Sequence, residues 1–251
     1  MSTMADERLL KTAAARKALD ELHDKSFNFD PSRRHEFTAE QGWRIDEYRQ
    51  PLPAEPPGPP LSDGSWELAR RLVADYEFTD PRIVRAVYHP ERPLADRDML
   101  LRARFYGLTF HLGVRVGGVV DDTCPVDGRM VRVWGWNYRT LQGHLEMGQM
   151  EFEVWKWLDD GAVEFRIGSF SRPASIANPL VRLGFRLFGR HMQVKFARRA
   201  CARIRRLTVA ALGRGDSSVG HVLLARDNVT VATDASGHLS HRHPRRRGAQ
   251  A

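Results

Sequence analysis

The chain has 251 residues, 42% of them apolar and 28% charged, with a formal net charge of +8; that length suits one globular domain of up to about 200 residues plus tails. Two cysteines, Cys124 and Cys201, are too few for a disulfide framework and form no CxxC pair, which points to free thiols in a reducing compartment. No stretch approaches the roughly 18 apolar residues of a membrane span, and the mixed-charge N-terminus "MSTMADERLLKTAAARKALDELHDK" lacks a signal-peptide pattern, so a cytoplasmic protein is expected.

Residues 5–24 fit an amphipathic helix with Leu10, Ala14, Ala18 and Leu22 on one stripe, and residues 1–35 are read as an N-terminal helical appendage. Gln50 to Gly64, "QPLPAEPPGPPLSDG", is too rich in proline to sustain a helix and is expected to be an extended connector. Ser65 is placed to cap a helix carrying Trp66, Ala69, Leu72, Val73 and Tyr76, stopping near Phe78. "RIVRAVYHP" fits helix or strand. From Asp98 to Ser171 the apolar period drops from 3.6 to 2, the mark of a sheet: Leu108, Phe110, Leu112, Val114 and Val116 alternate with more polar or smaller neighbours. Asp159-Asp160-Gly161 supplies a hairpin turn, and about five strands are expected as an antiparallel meander.

After Asn178-Pro179, a cap followed by proline at the first helical position, Val181, Phe185, Phe188, Met192, Phe196, Ala200, Ile204 and Leu207 advance by threes and fours. That spacing predicts one long helix whose apolar stripe must lie on the sheet. Residues 214–251, closing on "HRHPRRRGAQA", read as a basic disordered tail. The expected fold is α+β over residues 36–213: a curved antiparallel sheet with a long C-terminal helix packed across it, the helix-grip arrangement of START and Bet v 1-like proteins. A cavity between sheet and helix is a usual seat for a small apolar ligand.

"WNYRTLQGHLEMGQMEFEVWKWLDDGAVEFRIGSFSRPA" resembles the core of the uncharacterised DUF1990 (UPF0548-like) proteins. Tyr138, Thr140, Leu141, Gly143, His144, Glu146 and Gly148 fall on that pattern, as do Phe170, Ser171, Arg172 and Pro173, and the resemblance extends from Gly42 to Leu207. It departs at Arg139, where the pattern has glycine, and at Gln149, where it has glutamate. The resemblance implies a domain and its boundaries; the family brings no established activity.

His144 and Glu146, two apart, form a minimal acid/base or metal-ligand pair, or else tie a glycine-rich loop by hydrogen bonds to backbone. Trp134, Trp136 and Tyr138 share a strand face and, with Glu151 and Trp155 from the next strand, either line a ligand cavity or belong to core and solvent faces. Arg172 is expected to line the ligand site or to pair with an acid on the sheet, and Phe185, Phe188 and Met192 to close the cavity from the helix. No metal or cofactor is called for. Arg182, Arg186 and Arg190, continued by Arg198, Arg199, Arg203, Arg205 and Arg206, make a basic surface that either meets phosphates or is a solvated face. The reading is a cytoplasmic protein binding a small apolar or amphiphilic molecule. Its alternatives are an enzyme using His144 and Glu146, or a module whose arginine-rich helix and tail contact anionic lipid or nucleic acid.

Overall fold

The computed structural model describes residues 13–105, 107–175, 179–213 and 229–232, with the side chains of residues 105, 180–182 and 184–188 outside that description. Five consecutive strands pair antiparallel with their chain neighbours: β3 (Asp98–Phe105), β4 (Leu108–Val126), β5 (Arg129–Thr140), β6 (Glu146–Trp157) and β7 (Val163–Pro173). The meander is thus as the period-2 pattern predicts, and three further strands extend it. β1 (Arg44–Leu52) pairs with β7, β2 (Val84–Tyr88) pairs with β3, and β8 (Thr230–Ala232) pairs with β2, giving the order β1-β7-β6-β5-β4-β3-β2-β8. "RIVRAVYHP" therefore resolves to strand. Part of the expected tail joins the sheet as β8, while residues 214–228 and 233–251 lie outside the described residues.

Register decides which side chains meet. Trp134 stands opposite Val154, which stands opposite Phe165; Trp136 stands opposite Phe152, which stands opposite Ile167. These residues form the inner face and the main core. Helix α2 (Ser65–Ala74) packs on β5, β6 and β7, and helix α3 (Pro179–Leu212) packs on β1, β7 and α2. The α3 stripe is buried at Met192, Phe196, Ala200, Ile204, Leu207 and Ala211, as its spacing predicts. This is the large antiparallel sheet with a packed C-terminal helix that the sequence implies.

The proline-rich connector is strapped down. Its Glu55 is buried, receives the Nζ of fully buried Lys156 at 2.6 Å, and accepts the backbone N–H groups of Leu61 at 3.0 Å and Trp66 at 2.8 Å. Glu55 thus satisfies the first turn of α2, the role expected of Ser65; the residue at the cap position is Gly64, and the Ser65 hydroxyl donates to the Pro53 carbonyl instead.

The outer face is covered at one end by the segment expected to be an appendage and at the other by residues that follow it. Helix α1 (Ala13–Asp20) and the turn after it bury Leu19 and Leu22 against Val87, Leu100, Leu141 and Val229. Phe37 and Trp43 close over Phe170. Val87, Leu100 and Phe170 are apolar side chains on the side of the sheet away from α2 and α3, and this cover removes them from water. Residues 5–12 of the predicted helix lie outside the described residues.

Candidate functional site

The loop joining β5 to β6 carries most of the family-like motif, and its polar groups build the loop. The Thr140 hydroxyl accepts the Gly148 N–H at 2.9 Å and stands 2.6 Å from Asn28 Oδ1, while Asn28 Nδ2 donates to the Glu146 carbonyl at 2.7 Å. Gly148 has a φ of +150°, and a Cβ there would sit 2.1 Å from the Phe170 carbonyl oxygen, so only glycine fits. His144 Nδ1 accepts the backbone N–H of Glu146 at 3.0 Å, and burial pushes the imidazole down to about 4. His144 is therefore neutral at physiological pH.

His144 and Glu146 are thus brought together through backbone; among the described contacts, no ion pair joins their side chains. The Glu146 carboxylate turns to the inner face, where Gln193 of α3 donates to its Oε1 and also lies 3.1 Å from the Ser171 hydroxyl. Burial, opposed by that hydrogen bond and by Arg44, pushes the Glu146 carboxyl up to about 7; Asp46 adds to the rise, and Arg190 opposes it. Arg190 is held by Asp46 at 2.6 Å. The Gln193 Oε1 is buried without a hydrogen-bond partner among the described residues. Glu146, Gln193, His144 and Met150 are all partly exposed, whereas Phe152, Val154, Phe165 and Ile167 beyond them are buried. The inner face therefore grades from a polar, partly open end to an apolar floor.

Tyr138 sits between the two. Its hydroxyl interacts with that of Tyr76 and donates to Met150 Sδ at 3.5 Å, and burial raises both phenols well above their ordinary range. Trp136 gives its indole N–H to the Val73 carbonyl of α2 at 3.0 Å and packs in the core beside Tyr76 and Phe152. Trp134 is buried with Arg70 over its ring at 5.5 Å. Met192 is buried in the same core, while the side chains of Phe185 and Phe188 lie outside the described residues.

Three expected lining residues face the other way. Trp155 lies opposite Val133, so it is on the outer face, with the Arg166 guanidinium 3.5 Å from its ring centroid. Glu151 is on that face too, accepting from Gln149 Nε2 at 2.7 Å. Opposed residues of paired strands share a face, and Trp134 is opposed by Val154, not by Trp155. Arg172, expected to meet an acid, is exposed and stacks at 5.3 Å on the Trp43 ring.

Gln193 is the residue that periodicity reasoning passes over. The available signal was a lone amide within the buried stripe, between Met192 and Phe196, in a segment from Phe165 to Gly215 that holds no acid. The two departures from the family pattern also acquire a reason. Arg139 and Gln149 oppose each other across β5 and β6 and are joined at 2.8 Å, and Arg139 and Arg115 both approach the ring of Phe27 from the N-terminal segment.

Among solved structures, the chain is similar to Ara h 8.0201, with 10% identity over 67% of this chain and 99% of that one and a TM-score of 0.37. It is also similar to human STARD10, with 10% identity over 85% of this chain and 98% of that one and a TM-score of 0.35. No curated protein matches the chain. The sequence family described as "Domain of unknown function (DUF1990)" matches residues 32–203, a stretch that includes the Thr140–Gly148 loop, the polar end of the inner face and the described stripe of α3 through Arg203. The chain belongs to the DUF1990 family.

Proposed function

We propose that this protein binds a small molecule with an apolar body and a hydrogen-bond-donating head, held between the inner face of the sheet and α3. The observation that carries the reading is the polar end of that face: a carboxyl poised near neutrality at Glu146 beside the Gln193 Oε1, which has no hydrogen-bond partner among the described residues. A buried acceptor without a donor is costly, and a ligand hydroxyl or amine that fills it gains what the free protein lacks. The apolar residues further along the face suit an aliphatic or aromatic body.

The test compares a long-chain alcohol with its methyl ether in thermal unfolding of the full chain. The reading predicts that the alcohol raises the melting temperature and that the ether, which has no proton to donate, raises it much less. Equal shifts, or none with either compound, would contradict it.

A second reading, acid–base chemistry at Glu146, is supported by a carboxyl near the pH at which a general acid or base works best. It uses Glu146 without His144, whose imidazole is engaged with backbone. Any molecule that copurifies would be incubated with the wild type and with Glu146→Gln. Chemistry predicts a mass change seen only with the wild type, and a ligand returned unchanged by both speaks for binding alone.

A further inference from the structure

The solvent side of α3 is a separate surface with its own chemistry. Lys195, Arg198, Arg199, Arg205 and Arg206 are all exposed; Arg199 lies in the field of Asp80, and no carboxylate is hydrogen-bonded to any of the five among the described residues. On the same helix, by contrast, Arg190 is held by Asp46 and Arg203 lies 3.8 Å from Glu77. At about 100° per residue, the five exposed cations fall within an arc of about 140° together with Ala202, Val209 and Leu212. The buried residues Met192, Phe196, Ala200, Ile204, Leu207 and Ala211 occupy the opposite arc. The stripe runs about 26 Å from Lys195 to Leu212. No acid lies between Phe165 and Gly215 to neutralise it.

The apolar members of the stripe are telling. Val209 is 48% and Leu212 36% exposed, and both lie at the C-terminal end of the cationic run. Like charges crowded on one face repel, and exposed aliphatic side chains there gain nothing in water; an anionic surface with an apolar layer beneath it relieves both. A single-strand binder carries stacking aromatics among its cations, and this face has none.

We propose that the outer face of α3 docks on an anionic phospholipid bilayer, the arginines and Lys195 meeting headgroup phosphates while Val209 and Leu212 enter the interface. This surface is on the far side of the helix from Glu146, and the proposal does not rest on the ligand-binding reading.

The experiment is flotation of the full chain with phosphatidylcholine vesicles, with and without phosphatidylserine, alongside single- and double-stranded oligonucleotides. Binding is expected only to the vesicles containing phosphatidylserine. It should collapse between about 0.1 M and about 1 M salt, as the screening length falls from about 10 Å to about 3 Å. Each cation near such a surface contributes about fivefold, so Arg205→Glu/Arg206→Glu should lose at least about twentyfold in vesicle affinity. Lys17→Glu/Lys25→Glu, the same change in net charge on the N-terminal segment, should lose little, and the melting temperatures of both variants should stay close to wild type. Val209→Ser/Leu212→Ser should weaken vesicle binding without altering any oligonucleotide binding. Vesicle binding that ignores salt, equal losses in the two charge-reversed variants, or tighter binding to oligonucleotide than to vesicle would each overturn the proposal.

Discussion

Glu146 and His144 are displaced from their ordinary protonation in opposite senses by the same cause, partial removal from water. The Glu146 carboxyl is raised from 4.5 to about 7, and the His144 imidazole is lowered from 6.5 to about 4. Between pH 4.5 and 6.5 the unfolded chain therefore holds the histidine proton while the folded chain holds the glutamate proton. Stability rises with pH where the unfolded state binds more protons, so the two slopes cancel. Glu146→Gln should uncover the histidine: its stability relative to wild type should rise across that window by up to about 1.4 kcal/mol per pH unit. His144→Gln should uncover the glutamate and show the opposite slope. Urea unfolding at pH 5 and pH 6.5 measures both, and parallel pH profiles for the three proteins would contradict the assignment.

At the scale of the element, the connector and the β5–β6 loop are held by single residues that tolerate little change. Glu55→Gln leaves Lys156 buried without its counter-charge and should cost about 3–5 kcal/mol in chemical denaturation; Glu55→Gln/Lys156→Met should recover part of that loss. Gly148→Ala places a Cβ against the Phe170 carbonyl and should destabilise by more than about 2 kcal/mol, read as a lowered denaturation midpoint. The elements that sequence alone makes legible are those whose buried face is apolar. β3 to β7 and α3 announce themselves by period. β1 does not, because the residues it turns inward, Arg44, Asp46, Tyr48 and Gln50, are mostly polar, and one of them, Asp46, meets Arg190 of α3. β8 is three residues long and has no room for a pattern. Which face Trp155 occupies depends on register, a property of two strands that neither states alone.

For the whole molecule, the division of labour is between two sides of one sheet. The outer side is closed at its ends by the N-terminal segment, and between them carries a ladder in which Arg166 covers Trp155 and Arg129 covers Trp157. The inner side is apolar over the middle of β5, β6 and β7, and polar along β1, at the Lys156–Glu55 pair, and at the end where Glu146, Gln193 and Ser171 converge. Among the described residues, no helix is long and apolar enough to cross a membrane and no histidine, cysteine and carboxylate group is placed to hold a metal ion. The His144 and Glu146 pair was visible in sequence, but its meaning was not: backbone bonding claims one member, and a residue 47 positions away on α3 claims the other.

The most direct test of the inner-face account is ligand occupancy by native mass spectrometry in three proteins prepared alike: the wild type, Glu146→Gln/Gln193→Leu, and Trp155→Ala. The account predicts a bound small molecule in the wild type, its loss when the polar end is replaced, and its retention when only the outer face is altered. Occupancy that survives in Glu146→Gln/Gln193→Leu, or that disappears in Trp155→Ala while that variant remains folded, would contradict it.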